Sequence, residues 1–289
     1  MAFRGTYSIA NTIADLSTIP QEYVPYPGDG GDDDYHPSAD RINSQDALQL
    51  DRRSSNASEK CDNCTVHLGF MRSWQNTRTA ILSHLLEAVA QYPDYQLTLV
   101  GHSLGGAVAA LASLEFQARG WNPQVTTFGE PRIGNKALMR YIDTHFNMSK
   151  QEAREGTYRR VTHVNDPVPL LPLEDWGYRM HGGEIYISKP DLSPSMYDLH
   201  HCHGDEDPNC IAGVGNQHEE AVFKELPSTI GEYEDWFEAK RHWGIPPRYK
   251  LWELFFAHRD YFWRLGLCVP GGDPKDWYRE YPHGGPKEL

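Results

Sequence analysis

The chain has 289 residues, 39% of them hydrophobic, enough for one large domain or two small ones, and it holds no apolar run as long as a bilayer span. Asp and Glu number 40 against 27 Lys and Arg, a formal net charge of −13, which argues against a nucleic-acid partner because phosphate backbones are bound by clustered basic side chains. A soluble globular protein is expected.

The chain opens with "MAFRGTYSIANTIADL", which lacks the charged start, apolar core and small-residue cleavage site of a signal peptide. Ile9, Ile13 and Leu16 recur at i, i+4 and i+7, an apolar stripe suited to an amphipathic or a core helix. From residue 26 to 60 the sequence is dense in Asp, Gly, Ser and Pro with few large apolar side chains, and is expected to be an exposed, disordered insertion. Its Asp29–Asp34 cluster lacks the ligand spacing of a calcium loop and reads as a solvated charge run. Cys61 and Cys64 form a C-x-x-C, Cys202 and Cys210 bracket a short polar loop, and Cys268 is left over. A C-x-x-C also suits zinc, with His200, His201 and His203 near Cys202, but no second C-x-x-C follows, so two local disulfides are expected and no metal. Disulfides point to an oxidising compartment, and three N-glycosylation tripeptides, at Asn56, Asn63 and Asn147, fit secretion.

After Cys64 helical spacing sets in, with Trp74, Ile81, Leu85 and Val89 on one face, ended by Tyr92-Pro93-Asp94. A short apolar strand, Leu97 to Val100, then turns directly into an Ala/Leu-rich helix, Ala107 to Phe116. A second strand, Val125 to Phe128, stops at Gly129 and Pro131, a helical "ALMRYIDTHF" follows, and a third strand, Thr157 to Val164, runs into Asp166 and prolines that cannot continue it. Strands alternating with helices imply an α/β fold with a mainly parallel sheet covered on both faces, whose ligands bind at the carboxyl ends of the strands.

Gly101-His102-Ser103-Leu104-Gly105 lies at the join of the first strand and its helix, a G-x-S-x-G. A strand turning straight into a helix holds the serine in a strained backbone conformation, and glycines leave room for close backbone approach. The corner is expected to lift the Ser103 hydroxyl out of the sheet towards solvent, at a helix N-terminus that favours negative charge. Such a serine becomes a nucleophile only beside an imidazole oriented by a carboxylate. Asp166, just past a strand end, leads Asp143, Asp175 and Asp191 by position, while spacing cannot choose among His181, His200, His201, His203, His218, His242 and His258.

"TLVGHSLGGAVAAL", "TFGEPRIGNKAL", "RVTHVNDPVPLLP" and "AHRDYFW", in that order, closely resemble the fungal class 3 lipase family, filamentous-fungus triacylglycerol lipases and the related feruloyl esterases. The resemblance covers most of the chain from Phe3 to Cys268 apart from 26–60 and about 219–250. It implies a single α/β-hydrolase domain over 1–289, with an aromatic-rich insertion at 219–250 and an irregular tail at 269–289. It makes Ser103 the nucleophile, Asp166 the orienting carboxylate and His258 the base. It also makes the Thr6 of "FRGT" and the Leu104 N–H the oxyanion donors, and the stripe of Ile9, Ile13 and Leu16 a mobile lid.

The activity implied is cofactor-free hydrolysis of acylglycerol esters at an oil–water interface, by a protein secreted in its full-length form. A feruloyl or short-chain esterase and a non-catalytic lipid-binding relative are the alternatives. In the resembled family an amino-terminal segment precedes the strand that ends in this motif, and brings a cysteine that pairs with the one near the carboxyl end. The resemblance therefore implies missing N-terminal strands, an exposed edge beside residues 1–3 and an unpaired Cys268.

Overall fold

The computed structural model describes residues 1–5, 20–26, 60–148, 156–203, 206–213 and 258–265. Thr6, the stripe of Ile9, Ile13 and Leu16, Cys268, the aromatic-rich segment, the tail and all but the ends of the 26–60 insertion lie outside the described residues.

Among the described residues, six strands form the main sheet: β1 (Ala2–Phe3), β4 (Thr98–His102), β5 (Gln124–Phe128), β7 (Tyr158–His163), β9 (Glu184–Ile187) and β10 (Leu199–His201), side by side in that order. The first five are mutually parallel, and β10 returns antiparallel to β9. Register aligns the carboxyl ends: Phe3 faces Gly101, His102 faces Phe128, Phe128 faces Val161 and His163 faces Ile187. The segments that leave β1, β4, β5 and β7 therefore emerge along one rim. A smaller antiparallel sheet joins β2 (Pro20–Glu22), β3 (Thr65–His67), β6 (Gly134–Asn135) and β8 (Tyr178–Arg179).

Among the described residues, three long helices pack around this frame: α1 (Leu68–Gln91), α2 (Leu104–Ala118) and α3 (Lys136–His145). Every residue of α2 from Gly105 to Phe116 is buried, and small side chains at Ala107, Ala109, Ala110 and Ala112 let it lie close against β4 and β5 on one side and α1 on the other. A helix apolar all round belongs in such a position. Its one buried carboxylate, Glu115, is met by Arg78 of α1 at 2.9 Å and by Arg119 just past its own end at 2.9 Å, so the charge enters the core paired. The face α1 buries runs Phe70, Trp74, Leu82 and Leu85, whereas the spacing had placed Ile81 and Val89 on that line; both lie partly buried at its flank. The helix starts at Leu68, after the short strand β3 and capped by the His67 ring, which puts Phe70 in its first turn and in the core.

The two expected disulfides, Cys61–Cys64 and Cys202–Cys210, are both formed. The first sits just ahead of β3, and the second closes the loop that leaves β10.

Candidate active site

β4 ends at His102 and α2 begins at Leu104, so Ser103 alone makes the corner. Its backbone sits at φ 58° and ψ −131°, a region that side-chain-bearing residues rarely occupy. Hydrogen bonds hold it there: Ser103 N–H donates to Phe128 O at 2.9 Å, and Ser103 O accepts from Gly106 and Ala107. Both flanking glycines are required, because a Cβ on Gly101 would collide with the carbonyl of Gly105, and one on Gly105 with the carbonyl of Phe3 in β1. The Ser103 side chain does not cap α2, which leaves its hydroxyl available. One expectation fails: the residue is only 3% exposed, so the corner aims it into an enclosed site rather than at solvent. Gly5, leaving β1, closes part of that enclosure, since a Cβ there would stand 3.1 Å from Ser103 Cβ.

Asp166 follows β7 on the same rim and is fully buried. Burial alone would raise its pKa, but the adjoining His258 charge, the bonds from His258 and Tyr261 and the Val168 N–H together hold the carboxyl below the usual carboxylate value. His258 Nδ1 donates to Asp166 Oδ2 at 2.8 Å, with Oδ1 at 3.0 Å. The other ring nitrogen, Nε2, is buried and has no hydrogen-bond partner among the described residues. An imidazole fixed at Nδ1 by a carboxylate, with Nε2 bare in a closed site, is arranged to take a proton.

Three more residues border this pair: the sequence had placed His102 in the nucleophile elbow and Gly129 at a strand end, and had given Tyr261 no role. Tyr261, three residues past His258, donates its hydroxyl to Asp166 Oδ2 at 2.5 Å. Gly129, which follows β5, has φ +57°, and a Cβ on it would lie 2.6 Å from Tyr261 OH, 2.8 Å from Asp166 Oδ2 and 2.8 Å from His258 Cε1. His102 packs its ring against His258, 4.5 Å between centroids. The quoted "AHRDYFW" and "TFGEP" contained the first two, but nothing in local spacing shows a contact across 95 residues.

The competing acids and bases go elsewhere. Asp143, in α3, accepts from Gly182 N–H; Asp175 lies in a 3-10 turn at Glu174–Trp176, and Asp191 is exposed. His200 on β10 is exposed and meets Ser188, while His201 and His203 are exposed and His218 and His242 lie outside the described residues. His181 belongs to a second buried group. Its Nε2 is 2.9 Å from Glu130 Oε1 and its Nδ1 2.9 Å from Gly182 O, while Tyr158 donates to Glu130 Oε2 at 2.8 Å. Burial would raise the Glu130 carboxyl, but the His181 charge and the bonds from His181 and Tyr158 bring it below its usual value. Beside it, on paired strands, Arg160 meets Glu184 at 3.1 Å, and Thr162 donates to Glu184 Oε1. No cluster of three or more metal-ligating side chains occurs among the described residues.

Residues 1–176 match the family described as Lipase (class 3). The chain is 51% identical, over 96% of its length and 65% of the relative's, to a secreted mono- and diacylglycerol lipase 2 of Gibberella zeae. It is 50% identical to a Lipase A of Sodiomyces alcalophilus, over the whole chain and 67% of the relative. It thus spans about two thirds of the length of these curated relatives. Among solved structures, the Lip2 lipase of Yarrowia lipolytica superposes with a TM-score of 0.62 at 27% identity, over 92% of this chain and 71% of that one. The mainly parallel sheet with its helices is the α/β-hydrolase fold of that lipase. A corner serine, the rim it occupies and the matched span from β1 to the turn after Asp166 converge on one assignment: the chain belongs to the class 3 lipase family.

Proposed function

We propose that this chain carries the hydrolytic centre of a secreted lipase that cleaves acylglycerol esters, through an acyl-enzyme on Ser103. The observation that carries the reading is the pairing at the rim: a strained serine at the end of β4, and the Asp166–His258 couple with a buried, unbonded Nε2. Ser103 Oγ attacks the ester carbonyl carbon while His258 Nε2 takes its proton, and the tetrahedral oxyanion is held by the Leu104 N–H at the head of α2 and by Thr6. The intermediate collapses, its C–O bond to glycerol breaks, and the alcohol leaves with the proton from Nε2. A water molecule, deprotonated by the same nitrogen, then releases the fatty acid and restores Ser103. No cofactor enters any step. Asp166 stays ionised throughout and fixes the ring.

Two disulfides and the names of the relatives support secretion. Relatives named mono- and diacylglycerol lipases support acylglycerols as the substrate class, and the lid role that the family resemblance gives Ile9, Ile13 and Leu16 fits a substrate presented at an oil phase. The test is hydrolysis of mono-, di- and triacylglycerol emulsions by the parent, Ser103→Ala and His258→Ala proteins, together with covalent labelling by an organophosphonate. Ser103→Ala should abolish both turnover and labelling, and His258→Ala should lower kcat by about 10³-fold or more with the fold intact. Full labelling of the Ser103→Ala protein would overturn the assignment.

A further inference from the structure

The base of the proposed reaction stands on 258–265, a segment whose regular pairing is a single bridge between Asp260 and Arg264. Many of its hydrogen bonds close within the segment: Arg264 onto Asp260, Arg259 Nε onto Leu265 O, and Leu265 N–H onto Arg259 O. Others, from the His258 ring and the Tyr261 hydroxyl, converge on Asp166. These bonds orient the imidazole relative to the acid. None of them sets its height above the serine, which stands at the separate corner between β4 and α2.

That second restraint comes from the residue just before the nucleophile. His102 Nε2 lies 2.6 Å from the backbone carbonyl of His258. A carbonyl oxygen can only accept, so Nε2 carries the hydrogen and donates it. The two rings also lie together, at 4.5 Å and 35° between planes, and Tyr261 meets the His102 ring edge-on at 6.0 Å. His102 is itself rigid: it is the last residue of β4, in register with Phe128 of β5, and it leads directly into Ser103. We infer that His102 is a positioning residue, which ties the backbone of His258 to the serine corner and so sets the separation of base and nucleophile.

The ring's charge state suits the role. Burial first, and then the neighbouring His258, push its pKa down to about 4, against the opposing pull of the bond to His258 O and of Asp166, with Arg259 adding to the depression. At neutral pH the ring beside the base carries no charge and does not oppose the positive charge that His258 gains in the tetrahedral intermediate. A lysine or arginine at this position could make the same bond but would repel that charge.

The inference rests on the proposed Ser103–His258–Asp166 reading, and the test separates the two. kcat and KM are measured on a dissolved p-nitrophenyl butyrate, with the phosphonylation rate of Ser103 and the thermal midpoint, for the parent, His102→Leu, His102→Gln and His258→Ala. Leucine fills the space without donating; the glutamine amide reaches as far as Nε2 and donates. His102→Leu should fold, lose about 10- to 100-fold in kcat with KM within twofold, and slow phosphonylation in parallel, as expected for a displaced base. His102→Gln should recover kcat to within about threefold of the parent. A His102→Leu protein with parental kcat, or a folded His102→Gln protein as slow as the leucine variant, would overturn the inference. Should both variants lose the fold, His102 is a packing residue and the inference falls likewise. Full activity of His258→Ala would instead remove the reading beneath it.

Discussion

The Tyr261 hydroxyl and His258 Nδ1 share one oxygen of Asp166, at 2.5 and 2.8 Å. With the Val168 N–H on Oδ1, the carboxylate is held on both oxygens before any substrate arrives. Tyr261→Phe removes one of these donors and leaves the ring packing against Phe128. We predict a kcat lower by about tenfold with unchanged KM, since a hydrogen bond to a charged acceptor contributes about 1.5–3 kcal/mol. Steady-state kinetics on a dissolved ester decide it, and a kcat within twofold of the parent would assign Tyr261 to packing alone.

Gly129 sets the floor under the same three side chains. A methyl group at that position has to displace Tyr261 OH, Asp166 Oδ2 or His258 Cε1, and the φ of +57° strains any L side chain in addition. Gly129→Ala should therefore lower kcat by about 100-fold, as displacement of a catalytic group by an ångström does. The crystal structure of the variant should show the His258 ring shifted from its place.

Beneath the rim, Glu184 compensates the Arg160 guanidinium in a site where both side chains are at most 2% exposed. Removing the carboxylate leaves a buried charge facing its former partner's space. Glu184→Ala should cost about 3–5 kcal/mol in urea unfolding, whereas Glu184→Gln, which still accepts from Thr162, should cost less. Equal stability of Glu184→Ala and the parent would contradict the pairing.

Acid should unfold the protein in two stages. His102 is held down to about 4 from the usual 6.5, so the unfolded chain binds a proton that the folded chain refuses. Stability is then full above 6.5 and falls as the pH drops from 6.5 towards 4. His163, lowered mainly by burial, adds to the same stage. Asp166 and Glu130 are also depressed, but as carboxylates their contribution is full above their usual 3.8 and 4.5, and is lost only as the pH falls further, through their folded values. Thermal midpoints taken against pH should show a shallower first stage in His102→Gln and a weakened second stage in Glu130→Gln.

The glycines and the strand ends were open to reading because their demands are local. Gly101 and Gly105 had to flank a serine that turns a strand into a helix, and Asp166 had to follow a strand that prolines stop. His258 was different: its partner lies 92 residues away, and on spacing alone it was one histidine among seven, chosen by resemblance. Gly129 looked like a strand terminator, and what demands it is the room needed by three side chains from distant parts of the chain. The burial of Ser103 escaped for a similar reason, since Gly5 reaches it from the segment that leaves β1. In α1 the pattern placed Trp74 and Leu85 on the buried face and missed Phe70 and Leu82, while Ile81 and Val89 lie only partly buried at its flank.

The backbone of Ser103, at φ 58° and ψ −131°, has a cost that belongs to folding rather than to chemistry. Glycine adopts such angles freely, so Ser103→Gly should melt at a higher temperature than the parent, by an amount corresponding to about 1 kcal/mol, while losing all turnover. At this position natural selection has kept the less durable of two available residues. A search for heat-resistant variants that ignored activity would be drawn to the very substitution that ends it.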